Sequence, residues 1–205
     1  MKHSKPARAI SPTEARMLAL TAQVLGVQRK FTSSKTIRTA LVRSASMISN
    51  ALCGECKILL CGNGGSAADA QHIAAELVGR FKYERRGFPA IALTTDSSIT
   101  TSVANDYGFD DIFRRQVVAL GQPGDILIAY STSGTSPNVL SAVDAAHGQH
   151  MMVIAMTGAK GLKLKSAANV CIMAPSTDTA RIQECHAVAG HIICDLVERE
   201  LMGLE

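Results

Sequence analysis

Two loops and two helical stretches hold the residue types that chemistry needs. Residues 61–66 read Cys-Gly-Asn-Gly-Gly-Ser. Three glycines let a backbone come close to a ligand, and a helix starting near Ala67 would aim free N–H groups at an anion. Ser66 adds a hydroxyl. The same residues fit the G-x-G-x-x-A form of a dinucleotide fingerprint through Gly62, Gly64 and Ala67. That reading fails its own check. The ribose carboxylate expected about 20 residues on would fall near 90–93, where none stands, and Asp96 comes too late. Residues 131–136 read Ser-Thr-Ser-Gly-Thr-Ser, five hydroxyls in six residues, followed by Pro137 and Asn138. A helix cap uses one such hydroxyl. Five ahead of a helix N-terminus predict a phosphate site that works without fixed charge. Two anion- or polyol-facing loops at neighbouring strand ends point to a phosphorylated sugar.

The stretch after the glycine loop carries His72 and Glu76. At i and i+4 they share one helix face, where they can hold one metal or share one proton path. The alanines around them, Ala67, Ala68, Ala70, Ala74 and Ala75, leave the polar pair conspicuous. A second set, Gln183, His186 and His191, falls on the last helical stretch. Gln183 and His191 stand about 80° and ~12 Å apart on an ideal helix. Either they lean together onto one ion, or different subunits supply them. His186 points away from His191 and reads as a packing residue.

These groups need elements to place them. Ser11-Pro12-Thr13-Glu14 reads as a capped helix start, with Ser11 as cap, Pro12 in the first turn and Glu14 closing a capping box. Ile37, Leu41, Ala45, Ile48 and Leu52 make a helical stripe over 35–52. From Lys57 onward short apolar runs alternate with helical stretches. The runs are Ile58–Cys61, Ala90–Leu93, Asp125–Ala129, Met151–Met156 and Val170–Met173, each reading as a strand buried on both faces. Helices are expected at 66–80, 110–120, 137–147, 161–167 and about Thr179–Leu201. The alternation predicts an α/β protein with a doubly wound, five-stranded parallel sheet of flavodoxin-like type, an N-terminal helical hairpin and a long C-terminal helix. Residues 1–10 read as a loose tail and 11–205 as one domain. Ligands of such sheets bind at the carboxyl ends of the strands, where both loops fall.

Composition narrows the class further. The chain has 205 residues, 47% of them hydrophobic and 19% charged, which fits a globular domain and excludes a disordered one. Aromatics are 4% and Trp is absent, too few rings for a single-stranded nucleic-acid platform. The net charge of +4 is too mild for a nucleic-acid stripe, and part of it comes from Lys2, Lys5, Arg8 and Arg16. No apolar run reaches the ~20 residues of a membrane span, and Met1–Arg8 leads into no apolar signal region. Cys61, Cys171, Cys185 and Cys194 sit in apolar stretches as reduced thiols would, which predicts a cytoplasmic chain. Cys53-Gly-Glu-Cys56 lacks a second pair and reads as two unrelated thiols. His147, His150 and the pair Arg85-Arg86 read as solvated.

The strings Cys61–Arg80, Asn105-Asp106-Tyr107-Gly108, Ser131–Ser136 and Arg181-Ile182-Gln183-Glu184 together resemble the sugar isomerase (SIS) domain family, in the branch acting on a seven-carbon ketose phosphate. The likeness runs from about residue 35 to 200. It implies an aldose–ketose isomerase that converts sedoheptulose 7-phosphate to D-glycero-D-manno-heptose 7-phosphate through an enediol, on the way to bacterial surface polysaccharide. It implies Glu76 as base and His191 as acid. It places substrate on Asn63, Gly64, Gly65, Ser66, Glu76, Asn105, Asp106, Ser131, Thr132, Ser133, Ser136 and Gln183. It implies one Zn²⁺ per subunit on His72, Glu76, Gln183 and His191, polarising the carbonyl or steadying the enediolate. It also implies a homotetramer with sites at subunit interfaces, and neither nucleic acid nor membrane as partner. Where some members carry Asp directly before Arg181, this chain has Ala180, with Asp178 two residues earlier. Other SIS proteins do no chemistry and bind sugar phosphates or partner the replication initiator. Glu76 and His191 favour the enzyme.

Overall fold

The computed structural model describes residues 10–204. Its element order is α1 (Pro12–Ser33), α2 (Lys35–Cys53), β1 (Ile58–Cys61), α3 (Gly65–Val78), β2 (Ala90–Ala92), α4 (Ser97–Asp106), a 3₁₀ turn (Phe109–Asp111), α5 (Arg114–Leu120), β3 (Ile126–Ser131), α6 (Pro137–Gly148), β4 (Met152–Gly158), α7 (Leu162–Ser166), β5 (Val170–Ala174) and α8 (Thr179–Met202). The tail expected over 1–10 lies, except for Ile10, outside the described residues.

The five strands are all parallel and ordered β2-β1-β3-β4-β5. The central strands are apolar until their carboxyl ends, where Ser131 and Thr157 fall, because both faces meet helices. In β1, Ile58 and Leu60 face α2, α3 and α8, while Leu59 and Cys61 face α5 and α6. Each such Ile or Leu contributes about 1.5–3 kcal/mol by leaving water. The expected strand at Ala90–Leu93 departs from the pattern: β2 is an edge strand with Ile91 exposed, since nothing pairs beyond it.

The Ser11 capping box starts α1 as its sequence predicts, with Glu14 N–H donating to Ser11 Oγ. Ser34 ends α1 and caps α2 through Ile37 N–H. The stripe Ile37, Leu41, Ala45, Ile48 and Leu52 is buried throughout. One helix was absent from the sequence reading. α4 buries no residue, so it has no apolar stripe to reveal it. Its only signal is Asp96, whose carboxylate accepts from Ile99 N–H as an N-cap.

Four of the cysteines behave as expected: Cys61, Cys185 and Cys194 are buried and Cys171 half-buried, all free. Burial pushes the Cys61 and Cys194 thiols up to about 12. Cys53 and Cys56 are also free, without a bond between them. His186 is buried, with Nε2 3.3 Å from the Thr157 carbonyl and its ring edge-on to Tyr130. His147 is exposed, but its Nε2 lies 2.7 Å from the Ala167 carbonyl.

Candidate active site

The sheet order reverses between β1 and β3, and that switch point opens a crevice at the strand ends. The glycine loop follows β1 and the hydroxyl loop follows β3. The glycine loop and the start of α6 are tied by a reciprocal side-chain amide pair: Asn63 Nδ2 donates to Asn138 Oδ1 and Asn138 Nδ2 to Asn63 Oδ1, each at 2.8 Å. Within the hydroxyl loop, Ser131 Oγ lies 2.9 Å from Ser136 Oγ and accepts from Gly134 N–H. Gly134 has φ +67, and a Cβ there would strike the Gly161 backbone. Only glycine fits that left-handed, closely approached position.

Capping separates the helices by role. Among described helices of ten residues or more, α1, α2, α4 and α8 carry side-chain caps from Ser11, Ser34, Asp96 and Asp178. α3 and α6, which follow the two loops, have none. Their first N–H groups and the positive ends of their dipoles therefore face the crevice, where an anion can complete them.

The cleft beside the hydroxyl loop has a volume of about 420 Å³ and is lined in part by Thr132, Ser133, Thr135 and Lys160. Lys160 adds the fixed charge that the sequence reading did without. It was missed because it lies on a different loop, after β4. Asp178, two residues before Ala180, caps α8 through Ala180 and Arg181 N–H.

α3 and α8 pack side by side in the same direction, which settles how far their polar residues converge within one chain. A Cβ at Gly65 would collide with the Gln183 amide, and Gly190 packs on Ile73. His72 Nε2 stands 3.1 Å from Glu76 Oε1 and 3.3 Å from His191 Nε2. The two imidazole rings meet edge-on at 4.9 Å, and Phe81 stacks on His191 at 5.6 Å. Thus His72, Glu76 and His191 form one group, with ligand atoms within 4.8 Å of one another. Gln183 instead sits at the first turn of α3, beside the glycine loop, about 10 Å along the axis from His72.

The chemistry of this group suits a cation. His72 Nε2 can hold one proton, so it cannot donate to Glu76 while accepting from His191. Two ring nitrogens and a carboxylate oxygen converge on one space with too few protons to pair them all. A divalent ion with a taste for N and O ligands fits that donor set.

Asn105 and Asp106 stay apart from this group. They bond to each other at 2.8 Å on the exposed last turn of α4, and make no hydrogen bond to either loop among the described residues. Asp69 was also missed. It lies one turn before His72, and burial lifts its carboxyl to about 6 against the opposing charge of His72. The reading of Arg85 as solvated is overturned. Its side chain is buried against Glu198, with Nε 2.8 Å from Oε1. The partner lies 113 residues away, so no local pattern could show it.

The doubly wound sheet, its two uncapped helix starts and its hydroxyl loop define a phosphosugar-type α/β protein, and comparison agrees. The SIS domain family matches residues 23–158, and the chain belongs to it. The phosphoheptose isomerase of Thiobacillus denitrificans is 51% identical over 181 residues, covering 87% of this chain and 92% of that one. The structure of phosphoheptose isomerase from Neisseria gonorrhoeae superposes with a TM-score of 0.85 at 43% identity, covering 91% of this chain and 98% of that one. The structure of one from Francisella tularensis gives 0.88 at 36% identity, covering 92% and 100%. Within the SIS family the chain falls in the phosphoheptose isomerase branch.

Proposed function

We propose that the chain interconverts sedoheptulose 7-phosphate and D-glycero-D-manno-heptose 7-phosphate. The observation that carries this reading is a single helix: α3 presents an uncapped N-terminus to the crevice and the His72–Glu76 pair two turns on. Phosphate or polyol oxygens would lie on Asn63, Gly64, Gly65, Ser66, Ser131, Thr132, Ser133 and Ser136, with Lys160 at the cleft wall. Gln183, Asn105 and Asp106 complete the substrate set.

Glu76 takes the proton from C1 of the ketose while His191 gives one to the C2 oxygen, leaving the enediol. Glu76 then returns its proton to C2, and His191 removes the one on the C1 oxygen, leaving the aldehyde. Every proton removed is returned, so no redox partner is needed. The three-residue group, with Gln183 of the partner subunit as fourth ligand, would hold one Zn²⁺ per subunit, which would supply Lewis-acid polarisation of the carbonyl.

The assembly is a homotetramer with sites at subunit interfaces. Supporting this, α1 exposes Met17, Leu18, Leu20 and Leu25, an apolar face that one chain leaves uncovered. Light scattering giving a monomer would remove it. The enzyme works in the cytoplasm, making heptose for surface polysaccharide. Among the described residues no helix is long and apolar enough to cross a membrane. The non-catalytic alternative, a sugar-phosphate binder partnering the replication initiator, is not favoured, since relatives spanning most of the chain are isomerases.

The test is NMR of the zinc-supplied protein with sedoheptulose 7-phosphate in D₂O. The aldoheptose phosphate is expected, carrying deuterium at C2 to the extent that the proton on Glu76 exchanges with solvent before its return. No product would overturn the isomerase. Glu76→Gln should bind substrate without turning it over, and substantial residual activity would remove Glu76 as base.

A further inference from the structure

Glu198 is fully buried on α8, beyond the putting-together of the three site residues. Its Oε1 accepts from Phe81 N–H at 3.0 Å, and its Oε2 accepts from Lys82 and Tyr83 N–H at 2.7 and 3.1 Å. Arg85 Nε supplies a fourth donor at 2.8 Å. Burial works to raise this carboxyl, but the three amides and the Arg85 charge outweigh it and hold it below the usual carboxylate range. The rest of the Arg85 guanidinium turns the other way. Nη2 donates to the Glu76 carbonyl at 2.9 Å and Nη1 to the Leu77 carbonyl at 3.0 Å. Both carbonyls lie in the last turn of α3, where the Leu77 oxygen also accepts from Phe88 N–H at 2.9 Å, and a cation there meets the negative end of the helix dipole.

One ion pair therefore grips both halves of the site. Arg85 holds the backbone of Glu76 itself. Glu198 fixes the amide of Phe81, whose ring stacks on His191. We infer that the buried Arg85–Glu198 pair is a positioning clamp that sets Glu76 and His191 against each other, so that it tunes metal affinity and turnover as well as stability. The inference rests on the reading of Glu76 and His191 given above. The lever is geometric. α3 is the crossover from β1 to β2 and α8 follows the last strand, and the 79–87 connection ties the end of the first to the flank of the second.

The test compares wild type, Glu198→Gln, Arg85→Lys and Ser49→Ala. Ser49 donates to Glu200 on α8, away from the clamp, and serves as a control for stability alone. Zinc affinity is read by competition with a chromophoric chelator, and kcat and KM with sedoheptulose 7-phosphate. Both clamp variants should lose roughly 10–100-fold in zinc affinity and in kcat, as supporting partners of metal ligands do, with KM nearly unchanged. Ser49→Ala should keep both constants. Folded clamp variants with wild-type zinc affinity and kcat would overturn the clamp. If neither folds, Phe81→Ala leaves the ion pair intact and carries the same expectation, and wild-type constants there overturn it equally. A wild-type protein that binds no zinc and turns over nothing would instead overturn the reading of the site.

Discussion

Asn63 lies in the loop after β1 and Asn138 in the first turn of α6 after β3, yet each donates its amide to the other's carbonyl oxygen at the same 2.8 Å distance. The pair spans the point where the sheet reverses its strand order. It sets the spacing between the two helix starts that face the crevice, so it fixes where two groups of a ligand can sit at once.

Removing one half leaves the other amide partly buried and unpaired. Asn138→Ala should cost about 1–3 kcal/mol of stability. It should also raise KM for the sugar phosphate. In a double-mutant cycle, adding Asn63→Ala should cost much less than it does alone. Strictly additive losses would show that the two amides do not act together.

Gly65→Ala separates fold from site. Alanine favours a helix over glycine by about 1 kcal/mol, so the melting temperature should hold or rise. The new Cβ meets the flexible end of Gln183 and must push its amide away. A drop in kcat/KM without a drop in stability is expected. Unchanged kinetics would take Gln183 out of the substrate set.

Lys160→Ala removes the cation from the wall of the cleft. The residue is exposed, so the loss should be modest, about 0.5–1 kcal/mol or roughly two- to fivefold in KM. kcat should not move, and added salt should narrow the difference from wild type. A fall in kcat at constant KM would contradict a purely electrostatic hold on the phosphate.

His186 predicts a pH dependence of folding. Burial lowers its imidazole to about 4, against the raising effect of its bond to the Thr157 carbonyl. Below about 6.5 the unfolded chain takes up a proton that the folded chain refuses. Stability is therefore full above 6.5 and falls as pH drops toward 4, by about 3 kcal/mol from this group. Denaturant titrations of His186→Gln should show a shallower fall through that window. Parallel curves for the two proteins would exclude His186 as the cause.

The sheet was legible because parallel strands covered on both faces must be apolar up to their carboxyl ends, and runs such as Leu59 to Cys61 admit no other reading. The Ser11 cap and the 35–52 stripe were equally local signals. What escaped depended on distance or on missing contrast. α4 buries nothing and so displays no period. Arg85 looked solvated because its partner comes from the far end of the chain. The eight-residue gap between Gln183 and His191 could not be resolved until α3 was found running alongside α8. Only then did His191 fall to His72, and Gln183 to Gly65.

The absence of side-chain caps on α3 and α6 has a thermodynamic consequence. A capping hydroxyl and a bound phosphate would compete for the same N–H groups. The empty enzyme therefore forgoes stability that its other long helices enjoy, and a ligand restores it by mass action. Substrate is in this sense the last piece of the tertiary structure, and heat resistance becomes a gauge of occupancy.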